Sequence, residues 1–398
     1  MTDTNQTLPS PAGTANSQSD ASAIDTLDRL AGLIPGEPRH VMRHNREKIA
    51  RHTELSDQAL FDPRITDITL GERTFAAWYA ARLVGIAEVE QDYWQRLQKI
   101  ENDDGVHARQ AAQAVSSASS SQPSSVIMSP RFAQVAEHTL LLSEQPVLAR
   151  STHLATLREK GFTTHAIVVL SQLLAYVSYQ ARVVAMLKAM GGVDNGDVRP
   201  VMPPREIIDA QHFTFDTLGW AGWLDIVPLD QASEEQVKVL EESHAKAKTS
   251  DYYLLLVHAP EILRQRSLVF NAIMYGAGGI SRAERELGAT VVSRINGCVY
   301  CASVHAQRFG QLAKRIDSIE QVYADPETAG TTAREKAIIQ FAIALTRAPA
   351  AIDHKAIESL EAVNLTAEEI LDLTHSIAIF AWANRLMLTL GEPVFPAA

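Results

Sequence analysis

Apolar residues recur at helical spacing along most of the chain. Between residues 70 and 101, for example, Phe75, Trp78, Tyr79, Leu83 and Val84 fall three or four apart. Similar patterns cover residues 24–33, 40–61, 107–114, 130–143, 146–160 and 163–190. They resume over 233–249, 252–258, 260–276 and 281–296, start again near Cys298, and close with 333–347, 353–362 and 366–390. Ser233–Gln236, Ser281–Glu284 and Thr366–Glu369 have the spacing of capping boxes, which mark helix starts. Pro35-Gly36, Gly191-Gly192 and Asn296-Gly297 mark stops. No stretch keeps the strict alternation of a half-buried strand. The pattern predicts an all-α protein. Residues 213–223 carry two of the five tryptophans without clear periodicity and read as a packed lid or interdomain contact. The most apolar run, residues 166–187, contains Ser171, Gln172, Ser178, Gln180 and Arg182, which fits a buried helix better than a membrane span.

The two halves read as copies. Residues 131–182 align with 334–385 at a constant offset of 203, so that Pro146 meets Pro349, Leu170 meets Leu373, and Arg182 meets Arg385. Upstream the offset is 212: Glu72-Arg73 meets Glu284-Arg285, Arg82 meets Arg294, and Gly85 meets Gly297. The difference, 212 − 203, places nine extra residues in the first half, where a serine-rich loop spans 116–125. The resulting division is a disordered tail over 1–23, a first helical domain over 24–192, a Pro- and Gly-containing linker over 193–204, and a second helical domain over 205–398.

Charge narrows the function classes. The 398 residues carry a net charge of −11, which argues against a general nucleic-acid surface or an anionic-membrane surface. Two cysteines exclude a disulfide framework and fit a reducing cytoplasmic setting. No basic segment followed by an apolar core opens the chain, so no signal peptide is expected.

Both cysteines, Cys298 and Cys301, stand in one C-x-x-C. Glu286 lies twelve residues before the first, and His305 four residues after the second. On a helix beginning near Cys298, the positions 298, 301 and 305 share one face. Cysteines one turn apart can close a disulfide with little backbone movement. A thiol in the first helical turn sees the positive helix end, which favours thiolate at Cys298. His305 is placed to take the proton of Cys301, and Glu286 to orient His305 from the preceding helix. Two bland readings stand beside this one. The cysteines could be small core residues, or they could bind zinc with His305 and a fourth ligand. No second C-x-x-C exists to complete such a site, and no metal is assigned. His375 reads as a core residue on an apolar helix, Arg385 and Arg182 as structural, and Tyr300 as pocket-lining or packed.

The stretches I-S-R-A-E-R-E-L (280–287) and N-G-C-V-Y-C-A-S-V-H (296–305) resemble the alkylhydroperoxidase D / carboxymuconolactone decarboxylase superfamily, in its peroxidase-related branch. That family places a glutamate, a C-x-x-C and a histidine on helices of an all-α fold, and the matching positions are Glu286, Cys298, Cys301 and His305. Its best-studied type has a second histidine between the cysteines, where this chain has Tyr300. The resemblance implies two tandem alkylhydroperoxidase D-like helical domains. In the first, the four site positions become Thr74, Ile86, Val89 and Tyr93, which cannot perform thiol chemistry.

The implied activity is a thiol peroxidase. Cys301 attacks a hydroperoxide, Cys298 resolves the product as a disulfide, and an external dithiol reductant or adaptor protein restores the pair. The chain has no glycine loop for a nucleotide reductant, so no cofactor is assigned. Single-domain members assemble as symmetric oligomers, which implies a homo-oligomer here. Two other classes fit the same residues. One is a redox-responsive interaction protein without turnover, and the other a decarboxylase-like enzyme using Glu286 and His305 as acid and base.

Overall fold

The computed structural model describes residues 24–118, 128–193, 195 and 212–396. The expected tail over 1–23 and the 196–204 part of the linker lie outside them. Of the serine-rich stretch, residues 116–118 continue a helix, and 119–125 lie outside the described residues. The fold is all-α with one two-stranded addition, as the periodicity predicts.

In the first half the helices are α1 (Thr26–Leu30), α2 (Pro38–His44), α3 (Glu47–Leu60), α4 (Leu70–Val84), α5 (Ala87–Gln98), α6 (Asp103–Ala118), α7 (Pro130–Glu144), α8 (Ser151–Glu159) and α9 (Thr164–Met190). In the second half they are α10 (Glu234–Ser243), α11 (Asp251–Leu256), α12 (Pro260–Tyr275), α13 (Arg282–Asn296), α14 (Val299–Ala313), α15 (Asp317–Ala324), α16 (Ala333–Arg347), α17 (His354–Glu361) and α18 (Ala367–Thr389). The three capping boxes named above form at Ser233, Ser281 and Thr366. Several boundaries differ from the periodic reading. The 70–101 pattern is two helices, because Gly85 takes a left-handed φ of 83° and ends α4. The 233–249 pattern stops at Ser243, where His244 turns extended.

Residues 213–223, read as a packed lid or interdomain contact, pack on α14 through Asp216 and Thr217 and continue into a strand. Gly219–Gly222 pairs antiparallel with Gly391–Val394. Trp220 donates its indole N–H to the Met387 carbonyl at 3.0 Å. A Cβ at Gly391 would stand 2.2 Å from the Ala221 carbonyl oxygen, so the close approach requires glycine there.

Several features expected of the internal repeat recur in the structure. α4 and α13 occupy 70–84 and 282–296, at the offset of 212. Each begins with a capping box and ends on a left-handed glycine, Gly85 or Gly297. The capping-box glutamates Glu72 and Glu284 bind Arg131 and Arg334, which correspond at the offset of 203. Arg73 and Arg285 each donate to three carbonyls, one in the last turn of the preceding helix and two in the loop that follows it.

The long helices α9 and α18 pack against each other at the centre. Two equivalent bonds cross between them. Trp382 donates to the Gln172 side-chain oxygen at 2.8 Å, and Tyr179 lies 3.1 Å from His375 Nδ1. The pairs 179/382 and 172/375 correspond under the repeat. His375 is thus a core residue, with burial pushing its imidazole down to about 3. α9 is long and apolar enough to cross a membrane, yet every residue of its apolar window is buried inside the protein.

Candidate active site around Cys298 and Cys301

The site is made where α13 hands over to α14. Gly297, with φ 78°, ends α13 in a left-handed turn. The Cys298 N–H then bonds the Ser293 carbonyl at 2.8 Å, and the Gly297 N–H bonds the Arg294 carbonyl at 3.3 Å. These two bonds form a Schellman closure, which sets Cys298 as the cap residue before α14. Cys301 and His305 follow on the same face of α14, one and two turns along.

The two cysteines are unbonded, lie 3.3 Å apart, and are buried at 2% and 5% exposure. A disulfide has sulfurs about 2.05 Å apart, so closure needs a shift of little more than an ångström. Glu286, from α13, meets His305 Nδ1 at 2.5 Å. Burial pushes the Glu286 carboxyl up, but the imidazole of His305 and the guanidinium of Arg282 outweigh it and hold the group below its ordinary value. With Nδ1–H donated to Glu286, the lone pair of the neutral ring lies on Nε2. The ring of His305 stands edge-on to Phe380 of α18 at 4.2 Å.

Burial and the neighbouring Cys301 sulfur push the Cys298 thiol well up. Desolvation at this cap position thus opposes the helix end, which favours thiolate at Cys298. Tyr300 packs beside the pair, and burial raises its hydroxyl to about 12.

Three residues join the site without a signal in the motif. Asn384 of α18 donates to Ser293 Oγ at 3.1 Å, accepts from Asn296 at 3.0 Å, and bonds the Cys298 sulfur. The repeat could have pointed to it, since Ala181 stands at the equivalent position. Phe380 has Val177 as its equivalent. Tyr252 of α11 is buried next to both sulfurs, and its hydroxyl has no hydrogen-bond partner among the described residues. Nothing in sequence spacing marks Tyr252, which lies 46 residues before Cys298.

A second cluster was also missed. His40, His44 and Asp28 bring three ligand-type atoms together. However, Arg43 binds the Asp28 carboxylate at 2.6 Å, and His40 Nδ1 accepts from the Gly36 N–H at 3.3 Å. That bond places the ring proton on Nε2, the nitrogen facing Asp28. The cluster is a buried ion-pair network rather than a vacant metal centre.

Residues 260–344, which contain all four expected site residues, match the model of the Carboxymuconolactone decarboxylase family. Among solved structures, the chain is similar to an uncharacterized peroxidase-related protein from Ralstonia eutropha JMP134, described as an alkylhydroperoxidase core. The two are 24% identical, the match covers 41% of this chain and 86% of that one, and the TM-score is 0.37. It is also similar to an uncharacterized peroxidase-related protein from Silicibacter sp. TM1040, with 27% identity, coverage of 42% and 91%, and a TM-score of 0.36. No curated protein matches the chain.

Proposed function

We propose that this chain, whose second half carries a carboxymuconolactone decarboxylase-family segment, is a thiol peroxidase cycling Cys298 and Cys301 between dithiol and disulfide. The observation that carries the reading is the buried Glu286–His305 pair at 2.5 Å, one turn from an unbonded cysteine pair 3.3 Å apart.

In the proposed cycle His305 Nε2 takes the Cys301 proton. The Cys301 sulfur attacks the terminal oxygen of R–O–O–H. An S–O bond forms, the O–O bond breaks, and the alkoxide leaves with the proton of the imidazolium as an alcohol. Glu286 balances the charge on His305 while the proton is held. The Cys298 thiol then attacks the sulfenic acid, water leaves, and the disulfide closes. Retention of the proton by buried Cys298 suits a resolving role, because it keeps the first attack on Cys301. Tyr252, whose hydroxyl has no partner among the described residues, is the candidate donor to a peroxide oxygen. An external dithiol or adaptor protein reduces the disulfide. A homo-oligomer in the cytoplasm is part of the same proposal.

The test is steady-state consumption of tert-butyl hydroperoxide with a dithiol donor. Turnover by the wild type and its loss in Cys301→Ser support the proposal; full activity in that variant removes it. The Glu286–His305 pair also favours a second reading, acid–base chemistry on a lactone acid without sulfur. Retention of that activity in a Cys298→Ser, Cys301→Ser double variant would select it.

A further inference from the structure

The repeat brings two arginines to the place where the halves meet. Arg182 on α9 and Arg385 on α18 are equivalent, and each reaches into the opposite half. Arg182 donates to the Thr346 carbonyl at 2.7 Å, and Arg385 to the Ser143 carbonyl at 2.9 Å. Residues 143 and 346 are themselves equivalent, so the exchange is reciprocal. Each arginine also donates back to its own helix, Arg182 to the Ser178 carbonyl and Arg385 to the Ala381 carbonyl.

Both side chains are almost fully buried, at 2% and 5% exposure. Both line one cavity of about 40 Å³, together with Ser143, Thr346 and their neighbours from each half. Among the described residues neither guanidinium makes an ion pair, and Nε of each has no hydrogen-bond partner. Arginine does not escape burial by releasing its proton, as lysine can. Carbonyl oxygens supply dipoles and no net charge, so two cations stand together in a low-dielectric cleft uncompensated. Burial and mutual repulsion act in the same direction on Arg182. Glu144 reaches the rim of the cleft without pairing with either arginine, and its equivalent, Arg347, is held by Glu327.

We infer that this cleft, lined from both halves, binds one small monovalent inorganic anion, a halide or nitrate, between Arg182 and Arg385. The size fits. A single water needs roughly 10–15 Å³ of such space, so 40 Å³ admits a small anion and excludes an organic molecule of any length. The bound anion would link the halves where they exchange arginines. The cleft shares Asn296 with the network around Cys298, through Asn384, but the inference does not depend on the peroxidase reading.

The experiment is thermal unfolding of the full chain at fixed ionic strength, with gluconate replaced stepwise by chloride, bromide or nitrate. Gluconate is too large for the cleft. The wild type is expected to gain a few degrees in Tm along a saturable curve. The Arg182→Met, Arg385→Met double variant is expected to show no such gain, while matching or exceeding the wild type in gluconate alone. Glu144→Gln should keep the gain. If the arginines act only as carbonyl clamps, or if Glu144 swings in as their counter-charge, the wild type gains nothing on exchange and the inference fails. A crystal grown in bromide gives a reading independent of any variant. An anomalous peak between the two guanidiniums supports the site, and water alone there overturns it.

Discussion

Cys298 and Ile86 stand at equivalent positions of the two halves, as do Cys301 and Val89, His305 and Tyr93, and Glu286 and Thr74. The frame around them is the same. Both copies have the capping box, the left-handed glycine and the arginine that locks the capping glutamate. In the first copy every polar group at these positions is closed internally. Thr74 donates to its own helix at the Leu70 carbonyl, 2.7 Å away, and Tyr93 donates to Gln180 at 2.8 Å. Ile86, Val89 and Tyr93 are fully buried. In the second copy Gln180 becomes Ala383, Ala181 becomes Asn384, and the hydroxyl of Tyr252 has no partner among the described residues. One scaffold thus supports either a closed apolar core or a cysteine pair beside a Glu286–His305 pair, and a handful of side chains decides which.

Substitutions in one copy that leave the other unchanged can break this comparison. Cys301→Ser should reduce peroxide turnover by about three orders of magnitude or more, to the level of the solvent reaction. Val89→Ala, its equivalent, should leave turnover unchanged. Both are read by dithiol-dependent loss of tert-butyl hydroperoxide. Glu286→Gln should lower kcat/KM by roughly 100-fold or more, the order of a positioned general acid–base contribution. Equal activity in Glu286→Gln and wild type would detach the glutamate from the chemistry.

The glycines sharpen the contrast. Gly297→Ala and Gly85→Ala each force a left-handed alanine, at about 1–2 kcal/mol in denaturant titrations. Only Gly297→Ala should also depress turnover, because that turn sets Cys298. Tyr93→Phe strands the Gln180 oxygen in the core and should cost about 1–3 kcal/mol with turnover intact. The smallest effect is on pH dependence. Burial holds His375 at about 3 and His138 at about 4, against 6.5 in the open chain. The unfolded chain therefore binds more protons below 6.5. Stability is complete above that pH and falls as pH drops toward 4 and 3. His375→Gln, which copies Gln172 of the first half, should remove about one proton of uptake on unfolding near pH 5.

Local signals foretold most of the fold. Capping residues and glycine stops located helix ends within a few residues, because those groups satisfy backbone donors and carbonyls next to them in sequence. The cysteine, histidine and glutamate positions were legible because they lie within twenty residues on adjoining helices. Tyr252, Phe380 and Asn384 were not, since only tertiary packing of α11 and α18 brings them to the sulfurs. The short sheet was hidden for a related reason. Its strands are far apart in the chain and hold Gly219, Gly222, Gly391 and Pro393, residues poor in strand propensity. Helix α15 also escaped notice, although its Ile319, Val322 and Tyr323 are buried at helical spacing.

The central claim concerns where oxidising equivalents go, and intact-mass analysis after one equivalent of tert-butyl hydroperoxide tests it most directly. The account predicts loss of two hydrogens in the wild type, mapped to a Cys298–Cys301 disulfide. It predicts gain of one oxygen on Cys301 in Cys298→Ser. A wild-type chain that consumes the peroxide while both thiols stay reduced would contradict it.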